Sequence, residues 1–371
     1  MRSLGVYIHI PFCIKKCNYC DFCSFPSRNG EYDSYTEELC RRIRTFANEY
    51  GKAQVDTVYF GGGTPTLLPT ECFGRLMTQL NDSFCISADA EITAECNPAT
   101  ADTEKLSAMR EMGINRLSIG LQSANENELS QLGRLHSFDD FCISFDCARR
   151  AGFDNVSIDL MYGIPEQTLE SFENTLSRVI GLAPEHISAY GLKIEDGTVF
   201  GAKRDSLKLP DEDEEFYMYT TCRKLLEKHG YSRYEISNFA KPGRESRHNL
   251  RYWNLEDYVG FGVAAHSCID GVRTGNSRDI EAFLHGEDIV SERNTVGEEE
   301  RLYEYVMLGL RLREGISADK YFELSGRDMY KDMPMLEEFI RHGFIFRNND
   351  RVAFTDKGFF VSNAILAELL N

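Results

Sequence analysis

The chain has 371 residues, of which 42% are hydrophobic, and a formal net charge of −18. This charge argues against a nucleic-acid partner, because phosphate binding relies on dense Lys and Arg, and the lack of an apolar run near the ~20 residues of a spanning helix argues against an integral membrane segment. Twelve cysteines scattered through so long a chain, with no targeting segment visible ahead of the first strand, predict a cytoplasmic protein.

Short apolar segments rich in β-branched residues alternate with stretches of helical periodicity in the first part of the chain. The predicted strands are 6–10, 57–60, 91–94, 116–120, 155–161 and 186–191. The predicted helices between them include 32–50, 69–81, 102–112, 137–151 and 168–182. This alternation indicates a parallel sheet built from βα units. Six units are too few for a closed eight-stranded barrel, so we predict an α/β fold with an open (β/α)6, three-quarter TIM-like barrel.

The chain after this barrel changes in composition. An acidic run at 210–215 leads into a predicted helix, 212–229, which ends at His229-Gly230. A section rich in Gly and aromatic residues then continues to about residue 290. We predict three regions: a barrel (1–210), an accessory segment that closes it (211–290) and a C-terminal domain (291–371).

The C-terminal region predicts an α+β, winged-helix-like domain. Its predicted elements are helices 298–312, 318–324 and 331–342, a hairpin of 344–346 and 352–355 around a turn at 347–350, and a last helix, 357–370. Residues 291–371 contain eleven Lys or Arg and fifteen Asp or Glu, a net charge of −4. A role in reading DNA is therefore not expected, and a packing or partner-docking module is favoured.

A compact run of cysteines follows the first predicted strand. Cys13, Cys17 and Cys20 are spaced so that one loop could wrap around a [4Fe–4S] cube, bind three irons and leave the fourth open. Cys23 lies three residues further on, which leaves a four-thiolate zinc site open, and a disulfide is another alternative. Structural zinc sites usually divide their ligands between two separated knuckles, so the compressed run favours the cluster.

Polar residues and glycines follow the other predicted strands at the edge where ligands gather in such folds. Gly61-Gly-Gly-Thr-Pro65 could bring bare backbone close to a ligand, or could simply form a tight turn. Glu95 could bind a ligand, cap a helix or form a salt bridge. Gln122, Arg134 and Asp159 form a second polar set, for which a structural Arg134–Asp159 pair is the alternative.

The string His248-Asn-Leu-Arg-Tyr-Trp253 contains the only tryptophan of the chain. Its imidazole, amide and aromatic rings could line a flat macrocycle, with His248 as an axial iron ligand. The alternative is a hydrogen-bonded loop closing the barrel mouth, in which Trp253 is a core residue and His248 a capping donor. His266 is a weaker candidate, and His9 is expected to be a hydrogen-bonded histidine inside the barrel.

Several motifs together resemble the HemW/HemN group of the radical S-adenosylmethionine (SAM) superfamily. They are Tyr7-Ile-His-Ile-Pro-Phe-Cys13, Cys17-Asn-Tyr-Cys20-Asp-Phe22, Gly61-Gly-Gly-Thr-Pro-Thr66, Ile158-Asp-Leu-Met-Tyr-Gly-Ile-Pro165, Tyr234-Glu-Ile-Ser-Asn-Phe-Ala240 and the string that ends at Trp253. The resemblance covers nearly the whole chain. It implies a radical SAM barrel whose cluster is held by Cys13, Cys17 and Cys20. The SAM contacts it implies are Tyr7, Tyr19, Phe22, Gly62, Gly63, Thr64, Glu95, Gln122, Arg134 and Asp159. His248, Tyr252 and Trp253 are the candidate heme contacts.

Within this group, two features point to the heme-chaperone branch. The oxidase members have a cysteine two residues after the third cluster cysteine, where this chain has Phe22, and they carry an N-terminal extension ahead of the first strand. We therefore expect a protein that holds heme and passes it to client hemoproteins, with an electron donor as a further partner. The alternative is an oxygen-independent coproporphyrinogen III oxidase that decarboxylates its substrate by SAM-dependent radical chemistry. A third, weaker hypothesis is a non-catalytic docking protein built on the C-terminal domain.

Overall fold

The structure is a computed structural model, and it describes residues 3–370. In that part of the chain the strands are β1 (Ser3–Ile10), β2 (Phe12–Cys13), β3 (Phe25–Pro26), β4 (Gln54–Gly62), β5 (Cys85–Cys96), β6 (Arg116–Gln122), β7 (Val156–Tyr162), β8 (His186–Gly191), β9 (Ser232–Arg233), β10 (Asn238–Ala240), β11 (Tyr258–Phe261), β12 (His266–Ile269), β13 (Val272–Asn276), β14 (Val290–Thr295), β15 (Ile316–Ser317), β16 (Ile345–Asn348) and β17 (Arg351–Phe354).

The helices of residues 3–370 alternate with these strands in the first part of the chain. They are α1 (Tyr32–Tyr50), α2 (Thr70–Ser83), α3 (Thr103–Glu111), α4 (Glu126–Gln131), α5 (Phe138–Arg150), α6 (Leu169–Gly181), α7 (Val199–Ala202), α8 (Glu212–Lys228), α9 (Arg247–Trp253), α10 (Ile280–Leu284), α11 (Glu298–Gly309), α12 (Ala318–Ser325), α13 (Met329–Asp332), α14 (Met335–Arg341), α15 (Asp356–Phe360) and α16 (Ser362–Leu369).

The main sheet of the described chain has the strand order β14-β13-β12-β11-β1-β4-β5-β6-β7-β8-β10-β9. The run from β1 through β4 to β8 is parallel throughout, as predicted, and the sheet stays open. These strands are largely buried on both faces. In β1, Leu4, Val6, Ile8 and Ile10 are buried on one face, and Gly5 and His9 on the other. Each of the four apolar side chains contributes about 1.5–3 kcal/mol of transfer free energy.

The accessory segment extends the sheet at both edges. β10 pairs antiparallel with β8, and β11 pairs parallel with β1, so the sheet continues past the six predicted strands on each side. Helix α8 packs against α6 and begins with a capping box formed by Asp211 and Glu214. The acidic run forms the N-cap and first turn of the helix and therefore has a local structural role, because acidic side chains satisfy and complement a helix N-terminus.

The C-terminal region has its own small sheet, β15-β17-β16, and its own apolar core, as the winged-helix-like prediction requires. Two predicted helices are divided. The predicted helix 331–342 is α13 and α14, separated at Pro334, whose ring cannot continue the α13 hydrogen bonds. The predicted last helix, 357–370, is α15 and α16, which meet at Val361. The hairpin turn is shorter than predicted, with Asn349 at φ 55°.

Arg233, on β9 of the accessory segment, anchors the C-terminal domain to the edge of the main sheet. Its side chain is 7% exposed and pairs with Asp356 at 3.1 Å. It also donates to the Tyr219 hydroxyl at 2.9 Å and lies 3.9 Å over the Phe359 ring. In the described residues, no helix combines the length and the hydrophobicity needed to cross a bilayer.

Replacing this anchor should loosen the domain. We expect Arg233→Ala to lower the free energy of unfolding by about 2 kcal/mol, since it removes charge-assisted hydrogen bonds from a buried position. Urea unfolding would measure the change, with Arg341→Ala, an exposed arginine of the same domain, as the matched control. Equal stability of the two variants would contradict the anchoring role.

Candidate functional site

A cavity of about 820 Å³ lies at the carboxyl ends of the parallel strands. It brings together side chains from loops that are far apart in the sequence, because parallel strands end at the same edge of a sheet. The predicted site residues that line it are Cys13, Cys17, Tyr19, Cys20, Phe22, Gly62, Gly63, Thr64, Glu95, Gln122, Arg134, Asp159 and Trp253.

The cysteine loop is closed at its base by backbone pairing between β2 and β3, and the Phe25 amide donates to the Pro11 carbonyl at 2.6 Å. Cys13, Cys17 and Cys20 are each half-buried. Burial raises the pKa of Cys13 and raises that of Cys20 to about 11. Metal binding must therefore displace protons from these thiols.

The loop fits a cluster held by three thiolates. In residues 3–370, no three His, Cys, Asp or Glu side chains converge as ligands of one metal ion do. The thiolates of an iron–sulfur cluster bind separate irons, so their sulfurs need not converge. Cys23, the fourth cysteine of the zinc alternative, is 6% exposed and packs in the hydrophobic core, away from the cavity lining. The structure therefore favours the cluster over zinc.

The glycine loop at the end of β4 lies directly against the cysteine loop. The amides of Gly63 and Thr64 donate to the carbonyls of Ile10 and Phe12 at 2.8 and 2.7 Å. A Cβ on Gly63 would lie 2.6 Å from the Phe12 carbonyl oxygen, which real contacts do not allow. Gly62 has φ 116°, a conformation that favours glycine. This loop thus presents backbone rather than side chains to a ligand.

Glu95 lies on the cavity wall beside this loop. Its Oε2 accepts the Gly62 amide at 3.1 Å, and its Oε1 accepts the Tyr59 hydroxyl at 2.9 Å. Burial raises the pKa of Glu95 to about 7, and the charge of Asp159 acts in the same direction. A cationic group such as an ammonium would favour the carboxylate form at this position.

Arg134 connects the cysteine loop to two strand ends. One nitrogen lies 3.6 Å from the Cys17 sulfur, and another donates to Asn97 Oδ1 and to the Gly120 carbonyl, both at 2.6 Å. Asp159 instead accepts from Ser118 at 3.1 Å. The structural Arg134–Asp159 pair considered as an alternative is therefore not what the structure contains.

Gln122 adopts φ 73° next to a register shift between β6 and β7. A non-glycine residue in this region of backbone space is uncommon and is often associated with a functional site. Its position on the cavity wall agrees with the predicted role as a ligand contact.

Tyr7 lies next to the glycine loop, since a Cβ on Gly61 would be 3.1 Å from its ring, and its direct SAM contact stays a prediction. Its hydroxyl lies 3.0 Å from His9 Nδ1, and its ring stacks on Tyr59 at 6.2 Å. His9 Nε2 lies 2.8 Å from the Cys23 carbonyl and must donate to it, so Nδ1 accepts from Tyr7. Burial lowers the pKa of His9 to about 4, and it is the hydrogen-bonded barrel histidine that was predicted.

The string that ends at Trp253 forms helix α9 rather than a loop, and it buries His248. The backbone amide of His248 donates to Glu91 at 3.0 Å. Its Nδ1 lies 2.9 Å from Thr57 Oγ1, and its Nε2 lies 2.8 Å from the Tyr252 hydroxyl. Burial lowers the pKa of His248 to about 3. Because both ring nitrogens have partners, the structure does not support the predicted role of His248 as an iron ligand. His266 is exposed on β12 and lies outside the cavity lining.

Several lining residues were not predicted. Tyr59 and Ser118 line the cavity from the interiors of β4 and β6. The signal in the sequence that could have found them is the alternation of side-chain direction along a strand. Asn97, two residues after Glu95, donates to Thr64 Oγ1 at 2.7 Å. Arg311 and Phe360 reach the cavity from the C-terminal domain, and nothing in the sequence shows that this domain covers the barrel.

Comparison with known proteins agrees with these features. Residues 7–179 match the radical SAM superfamily, and residues 296–361 match the HemN C-terminal domain. The chain is 37% identical to a protein named heme chaperone HemW from Bacillus subtilis, over 99% of each chain. It is 35% identical to one of the same name from Escherichia coli, over 99% of this chain and 98% of that one. The structure of coproporphyrinogen III oxidase (HemN) from Escherichia coli is similar with a TM-score of 0.87 and 25% identity, covering 99% of this chain and 90% of that one. The resemblance drawn from the motifs and the open barrel fold are both confirmed.

The cysteine assignments can be tested one thiol at a time. We expect Cys13→Ser, Cys17→Ser and Cys20→Ser each to lose most of the cluster after anaerobic reconstitution, because each removes one of only three protein ligands. Iron and sulfide content with visible absorbance would measure this. Cys23→Ala is the matched control and should keep the cluster, and loss of the cluster from that variant would instead support four thiolates.

The raised pKa of Glu95 predicts a pH dependence of SAM binding. If the carboxylate accepts a hydrogen bond from the SAM amino group, affinity should be constant above pH 7 and fall by up to about tenfold per pH unit below it, as the carboxyl group is protonated. Equilibrium dialysis on cluster-loaded protein would follow the profile. Glu95→Gln should bind more weakly with a flatter profile, and an identical slope in both proteins would exclude Glu95 as the titrating group.

Proposed function

The chain belongs to the HemW family of heme chaperones within the radical SAM superfamily, and from this premise we propose that it binds heme and delivers it to client hemoproteins. The single observation that carries the proposal is its full-length similarity to proteins named heme chaperone. Phe22 adds support, since it stands where the oxidase members of the group have a further cysteine.

The first cavity is the proposed cofactor site. Cys13, Cys17 and Cys20 would hold the [4Fe–4S] cluster, and the bare backbone of Gly62 and Gly63 would face the methionine part of SAM. When bound, this pair of cofactors supplies one-electron cleavage of a sulfonium bond. The further proposed SAM contacts are Tyr19, Phe22, Thr64, Glu95, Gln122, Arg134 and Asp159.

The side chains around that site would bind and orient SAM, and they would exclude water. Arg134 would place positive charge beside Cys17, with one guanidinium nitrogen 3.6 Å from the sulfur. The Arg311 and Phe360 side chains of the C-terminal domain would restrict access from solvent. An electron donor for the cluster is a further proposed partner.

We place the protein in the cytoplasm on the state of its cysteines. All twelve lie in the described part of the chain and are free thiols there, including several that are buried. Free thiols in this number suit a reducing compartment.

A second function, oxygen-independent coproporphyrinogen III oxidation, is favoured by the similarity to HemN over nearly the whole chain. It differs from heme delivery in a measurable product, since decarboxylation would yield protoporphyrinogen.

Heme delivery can be tested on purified, cluster-loaded protein. We expect heme to bind in the micromolar range or tighter, and to move to an apo-hemoprotein when the two are mixed, as followed by the acceptor's absorbance. Anaerobic incubation with coproporphyrinogen III, SAM and a reductant is the companion assay and should leave the porphyrinogen unchanged. Failure to bind heme would end the proposal, and catalytic formation of protoporphyrinogen would favour the oxidase instead.

A further inference from the structure

A second cavity, of about 570 Å³, lies beside the first. The two cavities share part of their lining: Asn249 and Trp253 of α9, Arg311 of the C-terminal domain, and Tyr190, Ile236 and Ser237. None of the cluster cysteines, the glycine loop or Glu95 lines the second cavity. Its volume falls in the range of about 300–1,000 Å³ that is usual for small-molecule sites.

The floor of this cavity is a row of three side chains on neighbouring strands. Tyr258 of β11 stands opposite Cys268 of β12, and Cys268 stands opposite Arg273 of β13. Residues directly opposite in antiparallel pairs point to the same face of a sheet, so a phenol, a thiol and a guanidinium meet there. All three residues line the cavity.

Arg273 influences the chemistry of that row. Burial raises the pKa of the Cys268 thiol, and the Arg273 guanidinium acts in the opposite direction, favouring the thiolate. Thiolate and phenolate are both protein ligands of heme iron. The two candidate iron ligands in the row are therefore Cys268 and Tyr258. Because the Tyr258 ring is already packed edge-on against Tyr252, with ring centroids 4.7 Å apart, Cys268 is the better candidate.

The walls provide apolar and aromatic surface on opposite sides. Trp253 and Tyr252 come from α9, and the Tyr252 hydroxyl is held by its contact with His248 Nε2 at 2.8 Å. Val296 and Leu308 lie on the C-terminal side. A flat ligand with two apolar faces suits these two walls, and the rest of the lining carries charged side chains.

Three arginines line the cavity: Arg273 pairs with Glu304, Arg311 donates to Asn363 Oδ1 at 3.0 Å, and Arg301 is the one considered for an anionic ligand. Glu304 is engaged by Arg273 at 2.7 Å, and Glu256 by Arg251 at 2.8 Å. Asp257 accepts the Asp270 amide, and Glu235 accepts the Ser237 amide, both at 3.2 Å. Arg301, exposed on α11, lines the cavity without pairing with any of these carboxylates, and guanidinium groups bind carboxylates with two parallel hydrogen bonds.

We propose that the second cavity is the heme site, with the Cys268 sulfur as the iron ligand and Arg301 as the partner of a propionate. This inference rests on the proposed heme-binding function. Binding would exchange a solvent ligand of ferric iron for the sulfur, and the thiol proton would leave to solvent. In this arrangement His248 is a positioning residue that fixes Tyr252 in the wall, and Trp253 lies between the cofactors and the heme.

The test compares variants of the full, cluster-loaded chain in heme titrations. Leu308→Trp would fill the cavity, and Cys268→Ser would remove the ligand. Each has a matched control: Tyr303→Trp lies on the same helix but faces solvent, and Cys85→Ser replaces an exposed cysteine. Binding is read from the heme absorbance, the iron ligand from electron paramagnetic resonance of the ferric heme, and folding from cluster content and circular dichroism.

We expect Leu308→Trp to weaken heme binding by about tenfold or more. Cys268→Ser should lose the thiolate signature of the wild-type heme, and both controls should behave as wild type. If wild type binds heme and folded Leu308→Trp binds it equally well, the location is wrong. If Cys268→Ser keeps the wild-type resonance spectrum, the ligand is wrong. If wild type itself binds no heme, it is the proposed function that fails.

Discussion

The backbone contact between the first two strand-end loops is the interaction on which the cofactor site depends. The Thr64 amide donates to Phe12 at the start of the cysteine loop, and Gly63 lies too close to the Phe12 carbonyl to carry a Cβ. This contact fixes the cysteines relative to the glycine backbone, so that one cavity can hold a cluster and a chelating nucleotide side by side. The remaining strands add Glu95 and Arg134 to the same edge.

Helix α9 contributes Asn249 and Trp253 to the lining of both cavities. It is tied to the barrel at its first turn, where the amides of Arg247 and His248 donate to Glu91, and along one side by the contact of His248 with Thr57. These buried contacts hold the Trp253 end of the helix between the two cavities. Radical chemistry or redox signalling and a porphyrin would then occupy neighbouring cavities, with Trp253 in the lining of both.

The sequence predicted the barrel because its periodicities are strong: buried parallel strands and amphipathic helices alternate, and α1 has the predicted bounds. It predicted most of the first cavity because residues at the ends of parallel strands must meet. The prediction of site residues failed where the direction of a side chain determines what it contacts. His248 belongs to a recognisable motif, yet both of its ring nitrogens bond to neighbours behind the cavity wall. The row of Tyr258, Cys268 and Arg273 depends on strand register, which composition does not reveal.

The most direct test of two separate sites is whether one protein molecule holds SAM and heme together. Heme would be titrated anaerobically into cluster-loaded protein with and without saturating SAM, and bound SAM counted after each addition. Separate cavities predict one heme bound with the same dissociation constant in both titrations, and no SAM released. Displacement of SAM by heme, or a heme dissociation constant that rises in proportion to the SAM concentration, would contradict the account.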